Sequence, residues 1–330
     1  MFILKSKNIK ALPVSDTIGS ALSKIDTDWL REAVSTMSVP RSFEHEYENN
    51  CRIRDWIEET FQEFGFQTLR VGKYDNVVAW LPTNVSGKAL AAGPERDEPA
   101  ASALPLTFKD CDLSPTVLVG AHYDTKPNTP GADDNASAVA AMLECAKAIA
   151  KAHQFGHHQS HCVFVAFNRE EDGLLGSHDF VENDMPDSWD LKEVHILEMV
   201  GYCDHTPGSQ GLPKGLPVKL EHDRGDFLAI VANRKSNSKL RSVLQTAATY
   251  VPGFPVWGLK VFFGLENRFS DLRRSDHAPF WDKGIPAFMW TDTSEFRNAN
   301  YHLPSDTPET LDYEFLTSVT RLLAARVLRN

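Results

Sequence analysis

The sequence predicts an α/β fold: a single domain over residues 1–330, with a mixed, mostly parallel central sheet flanked by helices. Three observations predict it. Four runs, TVLVG (116–120), CVFVAF (162–167), VHILEMV (194–200) and IPAFMWT (285–291), are nearly all apolar and of strand length, as expected of strands buried on both faces. Between them lie segments with apolar residues at helical spacing, and such alternation covers a sheet on both sides. At 330 residues the chain can bury a large core, so folding requires neither disulfides nor a structural metal.

The elements follow in order. The first 65 residues predict two helices, since Ile53, Trp56, Ile57 and Phe61 recur at helical spacing and Gly65 supplies a stop. NVVAWL (76–81) predicts a strand. Residues 82–115 mix Pro, Gly, Ala and charge and predict a surface insertion. After TVLVG and a polar turn, Val139, Met142, Leu143, Ala146 and Ile149 mark an amphipathic helix. A second insertion, rich in Gly and Pro, is expected over residues 204–226. Phe227–Val231 predicts a strand, Leu240–Tyr250 a helix, and Tyr313–Leu328 a closing helix.

Composition narrows the function classes. The chain carries 34 basic and 45 acidic residues, net −11, which argues against a nucleic-acid partner needing a basic face. No apolar run approaches the ~20 residues that span a bilayer, so no membrane partner is expected. Met1–Pro13 lacks the order of a signal peptide, and Cys51, Cys111, Cys145, Cys162 and Cys203 form no CxxC pair. A reducing, cytoplasmic location is the expectation.

In open α/β sheets ligands bind beyond the carboxyl ends of the strands, so the polar residues there carry the chemistry. TVLVG leads into His122 and Asp124, and CVFVAF into Glu170 and Glu171. Glu198 lies within VHILEMV, and Tyr301-His302 follow the last central strand. Each alone reads as an ordinary loop or helix-start residue. Together with the turn Gly131-Ala132-Asp133-Asp134-Asn135 they place imidazoles and carboxylates, without thiolate, on one side of the sheet. That donor set suits zinc in a catalytic site. A carboxylate shared by two ions lets them activate a water and polarise a carbonyl together. One glutamate of an adjacent pair can bind metal while the other acts as base.

HYD (122–124), GADDNAS (131–137), NREE (168–171), LEMVGY (197–202), RSDHAPFWDKGIPA (274–287) and YHLPSDTPETLDY (301–313) resemble the co-catalytic zinc aminopeptidases of peptidase family M28. The match runs from about Asp75 to the C-terminus in the family order. The resemblance implies the zinc-exopeptidase fold and two Zn2+ ions. It assigns one ion to His122, Asp134 and Glu198, and the other to Asp134, Glu171 and His302, with Asp134 bridging. It makes Glu170 the general base, has Asp124 orient His122, and has Tyr301 hydrogen-bond the developing oxyanion. It also implies a cis peptide after Asp134. Two positions depart from the family pattern: Glu198 stands where well-studied members have Asp, and Ala138 where a glycine is usual.

Other residues carry weaker readings. Asp276 and His277 are expected near the metals, as substrate contacts or as support. Arg297, with Asn298, is either a clamp for a peptide carbonyl or carboxylate or part of a solvated loop. His153, His157, His158 and His161 read as a solvent-facing cluster. Trp257, Trp281 and Trp290 read as packing, with Trp290 the candidate to wall a pocket. The expected function is a zinc-dependent exopeptidase, an aminopeptidase acting on short peptides. The alternatives on the same fold are a glutaminyl cyclase-like acyltransferase and a carboxypeptidase. A non-catalytic binding module expects missing ligands, and none is missing.

Overall fold

The computed structural model describes residues 1–82, 115–154 and 162–329. The first expected insertion, apart from its ends, lies outside these residues, as do His157, His158 and His161. The four apolar runs become β4 (Val117–His122), β5 (Cys162–Phe167), β6 (Glu193–Glu198) and β9 (Ala287–Thr291). Every residue of all four is buried. They lie side by side in the order β9-β6-β4-β5, and all are parallel.

Antiparallel neighbours extend this block. β3 (Asn76–Trp80) pairs with β5 and with β2 (Gln67–Val71), while β7 (Leu228–Ala232) pairs with β9. β8 (Val256–Lys260) runs parallel to β7, and β1 (Phe2–Lys5) closes that edge antiparallel to β8. The sheet is therefore mixed, with parallel pairing concentrated at its centre.

Side-chain alternation divides the core into two layers. Val77 and Ala79 of β3 face one cluster, Val78 and Trp80 the other. The first layer packs under α1 (Asp16–Leu22), α2 (Thr27–Met37), α3 (Tyr47–Glu63), α4 (Ala138–Gln154), α6 (Asn237–Tyr250) and α8 (Tyr313–Leu328). The second includes Phe180 and Val181, which follow α5 (Leu175–Asp179), and Phe280 and Trp281 of α7 (His277–Asp282). Asp312 caps α8 by accepting the backbone N–H groups of Glu314 and Phe315. Among the described residues no helix is long and apolar enough to cross a membrane.

Three of the strands and one helix depart from the sequence expectation. The N-terminal region holds three helices and not two, because Ile18 and Leu22 of α1 bury themselves in the first layer despite Gly19. β1, β2 and β8 carry no strong local pattern and are defined by their partners. Gly258 in β8 illustrates the cause: a Cβ there would stand 2.9 Å from the Leu240 side chain, so the close approach of Leu240 from α6 favours glycine at this position.

One buried ion pair ties α8 to the sheet. Arg326 donates from Nε to Glu193 at 2.8 Å and pairs with it again through Nη2. His195 Nε2 stands 3.2 Å from the same carboxylate, while Trp290 Nε1 donates to His195 Nδ1 at 3.1 Å. Burial disfavours the Glu193 charge, yet His195 and Arg326 hold its carboxyl far below the ordinary range. Its contribution to stability is thus present above pH 4.5, the ordinary value, and lost as the pH falls below it. Arg326→Ala is expected to cost about 3–5 kcal/mol in urea unfolding at pH 7, because the buried Glu193 carboxylate loses its two-pronged guanidinium partner and keeps the more distant His195 and Lys239. That penalty should shrink at acid pH, where the Glu193 carboxyl takes up a proton. A penalty independent of pH would show that Arg326 acts through packing alone.

Candidate active site

Because β4, β5, β6 and β9 are parallel neighbours, their carboxyl ends open on one edge of the sheet. His122 ends β4 and Glu198 ends β6. Glu170 and Glu171 follow β5, and the chain leaving β9 returns with Tyr301 and His302. Asp134 comes from the turn before α4. That turn requires glycine at 131, where φ is +62° and a Cβ would stand 2.3 Å from the Asp134 carbonyl oxygen. The Asp134–Asn135 peptide is cis. Asn135 donates from Nδ2 to the Leu197 carbonyl and accepts the Met199 N–H, which locks the turn against β6.

The five expected ligands converge. Asp134 Oδ1 lies 3.4 Å from His122 Nε2, and its Oδ2 lies 3.2 Å from His302 Nε2. Glu198 Oε2 is 3.5 Å from His122 Nε2, and Glu171 Oε2 is 3.2 Å from His302 Nε2. Glu170 sits on the His122 side, 3.9 Å from Nε2. His122–Glu170–Glu198 and Asp134–Glu171–His302 each bring one donor atom per residue within 4.8 Å of one another. Buried His122 Nε2, Asp134 Oδ1, Glu171 Oε1 and His302 Nε2 have no hydrogen-bond partner among the described residues. Buried polar atoms are normally satisfied, so a set aimed at common points fits divalent cations.

The charge balance agrees. Burial disfavours charge on His122, but Glu170, Glu198, Asp124 and Asp134 outweigh it and raise its pKa well above the ordinary value. His302 is pushed up to about 9, since Asp134 and Glu171 outweigh its burial. Burial raises the Glu170 carboxyl well above its usual range, and Glu198 and Glu171 add to this against His122. Burial likewise raises Glu198 and Glu171. A cation in this place exchanges with such protons.

The supporting residues include several that the sequence reading missed. Asp124 accepts the backbone N–H groups of Glu170 and Glu171 at 3.1 and 3.2 Å, with Oδ1 3.3 Å from His122 Nδ1. Asp306 does the same for Asp133 and Asp134, at 2.9 and 3.1 Å. Ser275 Oγ donates to Glu198 Oε2 at 2.7 Å. Asp306 and Ser275 lie within YHLPSDTPETLDY and RSDHAPF, which is the only signal that marks them. Arg41 had none: it is fully buried, and donates to the carbonyls of Met37, Tyr123, Pro130 and Gly131, binding the N-terminal segment to the site loops.

Beside the ligand cluster an apolar cavity runs beneath residues 210–220. Its walls include Leu216, Phe227, Ala229, Trp257 and Met289, and its polar end holds Glu198 and Tyr301. Trp257 is thus a wall of the cavity and is stacked on Phe227, 4.0 Å between ring centroids. Trp290, the expected wall, points instead to His195 in the other layer. Arg297 does not reach the cavity, because its guanidinium is engaged by Gln210 and by the Tyr202 and Phe227 carbonyls. Asn298 donates to Asp133. Asp276 and His277 are both fully buried. Burial pushes the Asp276 carboxyl up to about 7, with Glu198 and Asp124 adding to it against His122. His277 engages the Leu272 carbonyl, and burial pushes it down to about 4.

Comparison with known proteins gives a concordant picture. A family model described as peptidase family M28 matches residues 107–251 and 257–327. Aminopeptidase YwaD of Bacillus subtilis (strain 168) is 29% identical over 227 residues, covering 68% of this chain and 42% of that protein. The structure of LapB from Legionella pneumophila superposes with a TM-score of 0.66 at 20% identity, covering 96% of this chain and 76% of LapB. Glutaminyl cyclase from Porphyromonas gingivalis shares the fold at a TM-score of 0.59 and 20% identity, covering 92% and 98% of the two chains. The chain spans 64% and 42% of the length of two curated relatives that it matches.

Proposed function

The chain belongs to peptidase family M28, and on that premise we propose that it is a zinc-dependent aminopeptidase that releases N-terminal residues from short peptides. The observation that carries this reading is Asp134, whose two oxygens face His122 and His302 from one buried carboxylate. His122, Asp134 and Glu198 would hold one zinc, and Asp134, Glu171 and His302 the other. Bound there, the ions supply Lewis-acid polarisation of the scissile carbonyl and a nucleophile of lowered pKa at neutral pH.

The remaining roles belong to the chain's own groups. Glu170, the carboxylate next to Glu171 that is not assigned to a metal, takes the proton of the attacking water and passes it to the leaving amine. Burial, with the neighbouring Glu198 and Glu171 carboxylates, raises its pKa, the direction that makes a carboxylate a better proton acceptor. Tyr301 donates its hydroxyl proton to the oxygen that gains charge in the tetrahedral intermediate. Asp124 orients the His122 ring from Nδ1. The apolar cavity receives the side chain of the N-terminal residue.

A panel of aminoacyl-arylamides, dipeptides and N-acetylated peptides, assayed on the zinc-loaded protein, tests this. Leucyl and phenylalanyl arylamides are expected to be hydrolysed and N-acetylated peptides spared. Ring closure of N-terminal glutamine in place of hydrolysis would transfer the site to the cyclase class. Release of C-terminal residues from blocked peptides would make it a carboxypeptidase. The cavity predicts a further result. Ala229→Phe fills it from β7, so KM for the phenylalanyl substrate should rise about tenfold or more, the scale of losing one apolar fit. Alanyl arylamide should be spared. An equal effect on both substrates would remove this cavity from side-chain recognition.

A further inference from the structure

We propose that Arg274 is a positioning residue that fixes Tyr301 as a hydrogen-bond donor toward the reacting carbonyl, an inference that rests on the aminopeptidase reading above. Arg274 Nη2 donates to the Tyr301 hydroxyl oxygen at 2.7 Å. Its other terminal nitrogen is held by Glu295 and stands 3.5 Å from Asp271. The Tyr301 ring in turn lies against the His302 imidazole, with centroids 3.7 Å apart and planes 23° from parallel. The phenol is therefore held from two sides, by a guanidinium at its oxygen and by an expected metal ligand at its ring.

The chemistry of the pair sets the direction of the proton. A guanidinium has donors and no acceptor, so the tyrosine oxygen is always the acceptor in this contact. Its own hydrogen must point elsewhere, and Tyr301 and Glu198 line the same cleft. A donor already polarised by a cation gives a stronger hydrogen bond to developing negative charge. The next residue, Ser275, donates to Glu198 at 2.7 Å, so one short segment braces both the ligand set and the oxyanion donor. Arg274 touches no reacting atom in this scheme and acts through Tyr301.

Steady-state kinetics on a leucyl arylamide, with zinc-loaded wild type, Arg274→Met, Arg274→Lys, Tyr301→Phe and the double variant Arg274→Met/Tyr301→Phe, test the inference. Zinc content and unfolding midpoint are checked for each. Tyr301→Phe should lower kcat about 10²–10³-fold, the usual loss of an oxyanion donor. Arg274→Met should lower kcat about tenfold, the scale of one charge-assisted hydrogen bond, with KM little changed. Arg274→Lys should recover part of the loss. The double variant should be no slower than Tyr301→Phe alone, because residues acting as a unit are not additive. Multiplying effects in the double variant would overturn the inference, as would a change in KM alone, which marks a substrate contact. If Tyr301→Phe is slow and Arg274→Met is not, only the Arg274 role fails. If Tyr301→Phe turns over like wild type, the donor role of Tyr301 fails and the role of Arg274 falls with it.

Discussion

Glu170→Gln is expected to lower kcat by about 10²–10⁴-fold, the range of general acid–base catalysis, while the protein keeps its fold and its zinc. The substitution preserves size and hydrogen bonding but removes the basic oxygen. The neighbouring Glu171→Gln should behave differently. Its Oε2 stands 3.2 Å from His302 Nε2 and its Oε1 has no hydrogen-bond partner among the described residues, which suits a ligand position. That variant should bind less zinc and regain part of its activity when zinc is added. Glu170 also lies 3.9 Å from His122 Nε2, within reach of the other ion's place, so the two roles need separating by measurement. Zinc stoichiometry and kcat on both variants do so. Zinc lost from Glu170→Gln but kept in an inactive Glu171→Gln would exchange the assignments.

Asp134→Ala should be at least as damaging to activity, and for a different reason. One carboxylate serves both histidines, so its removal weakens both ion sites at once. Ligand binding stabilises a fold by an amount that grows with free ligand, about 2.7 kcal/mol when free ligand is 100-fold above Kd. Chelation of wild type is therefore expected to lower its unfolding midpoint as activity disappears. The midpoint of Asp134→Ala should be nearly indifferent to chelator and to added zinc. If this variant still binds two zinc ions per chain, the bridging role is wrong. The experiment also separates a metal effect from a packing effect, since the metal-free forms of both proteins are compared directly.

Much of this was legible in the sequence because the informative features are local. A strand buried on both faces must be apolar at nearly every position, so VLVGAH, CVFVAF and AFMWT announce β4, β5 and β9 without knowledge of their neighbours. The polar residues at their carboxyl ends break that pattern, and His122, Glu170, Glu171, Glu198 and His302 stand out for the same reason. Asp134 was legible through its turn, where Gly131 marks a left-handed position. The bridging role given to Asp134 came from family resemblance, and the structure brings its two oxygens to the two histidines.

What tertiary structure decided are the relations between distant segments. β1 is a strand because it pairs with β8, 252 or more residues away, and nothing in FILK demands it. Arg297 read either as a clamp for a peptide carbonyl or carboxylate or as part of a solvated loop, but packing turned it inward onto the Tyr202 and Phe227 carbonyls. Arg274 was marked only by opening RSDHAPFWDKGIPA, and only the fold placed its guanidinium on the Tyr301 hydroxyl. The cavity has the same origin. Leu216, Trp257 and Met289 are each ordinary apolar residues, and they become one wall because residues 210–220 cross the face of β7, β8 and β9. Apolar periodicity is written in the chain because water selects it residue by residue. The partner of a buried charge or the shape of a pocket is not, because it depends on which surfaces meet after the chain has folded.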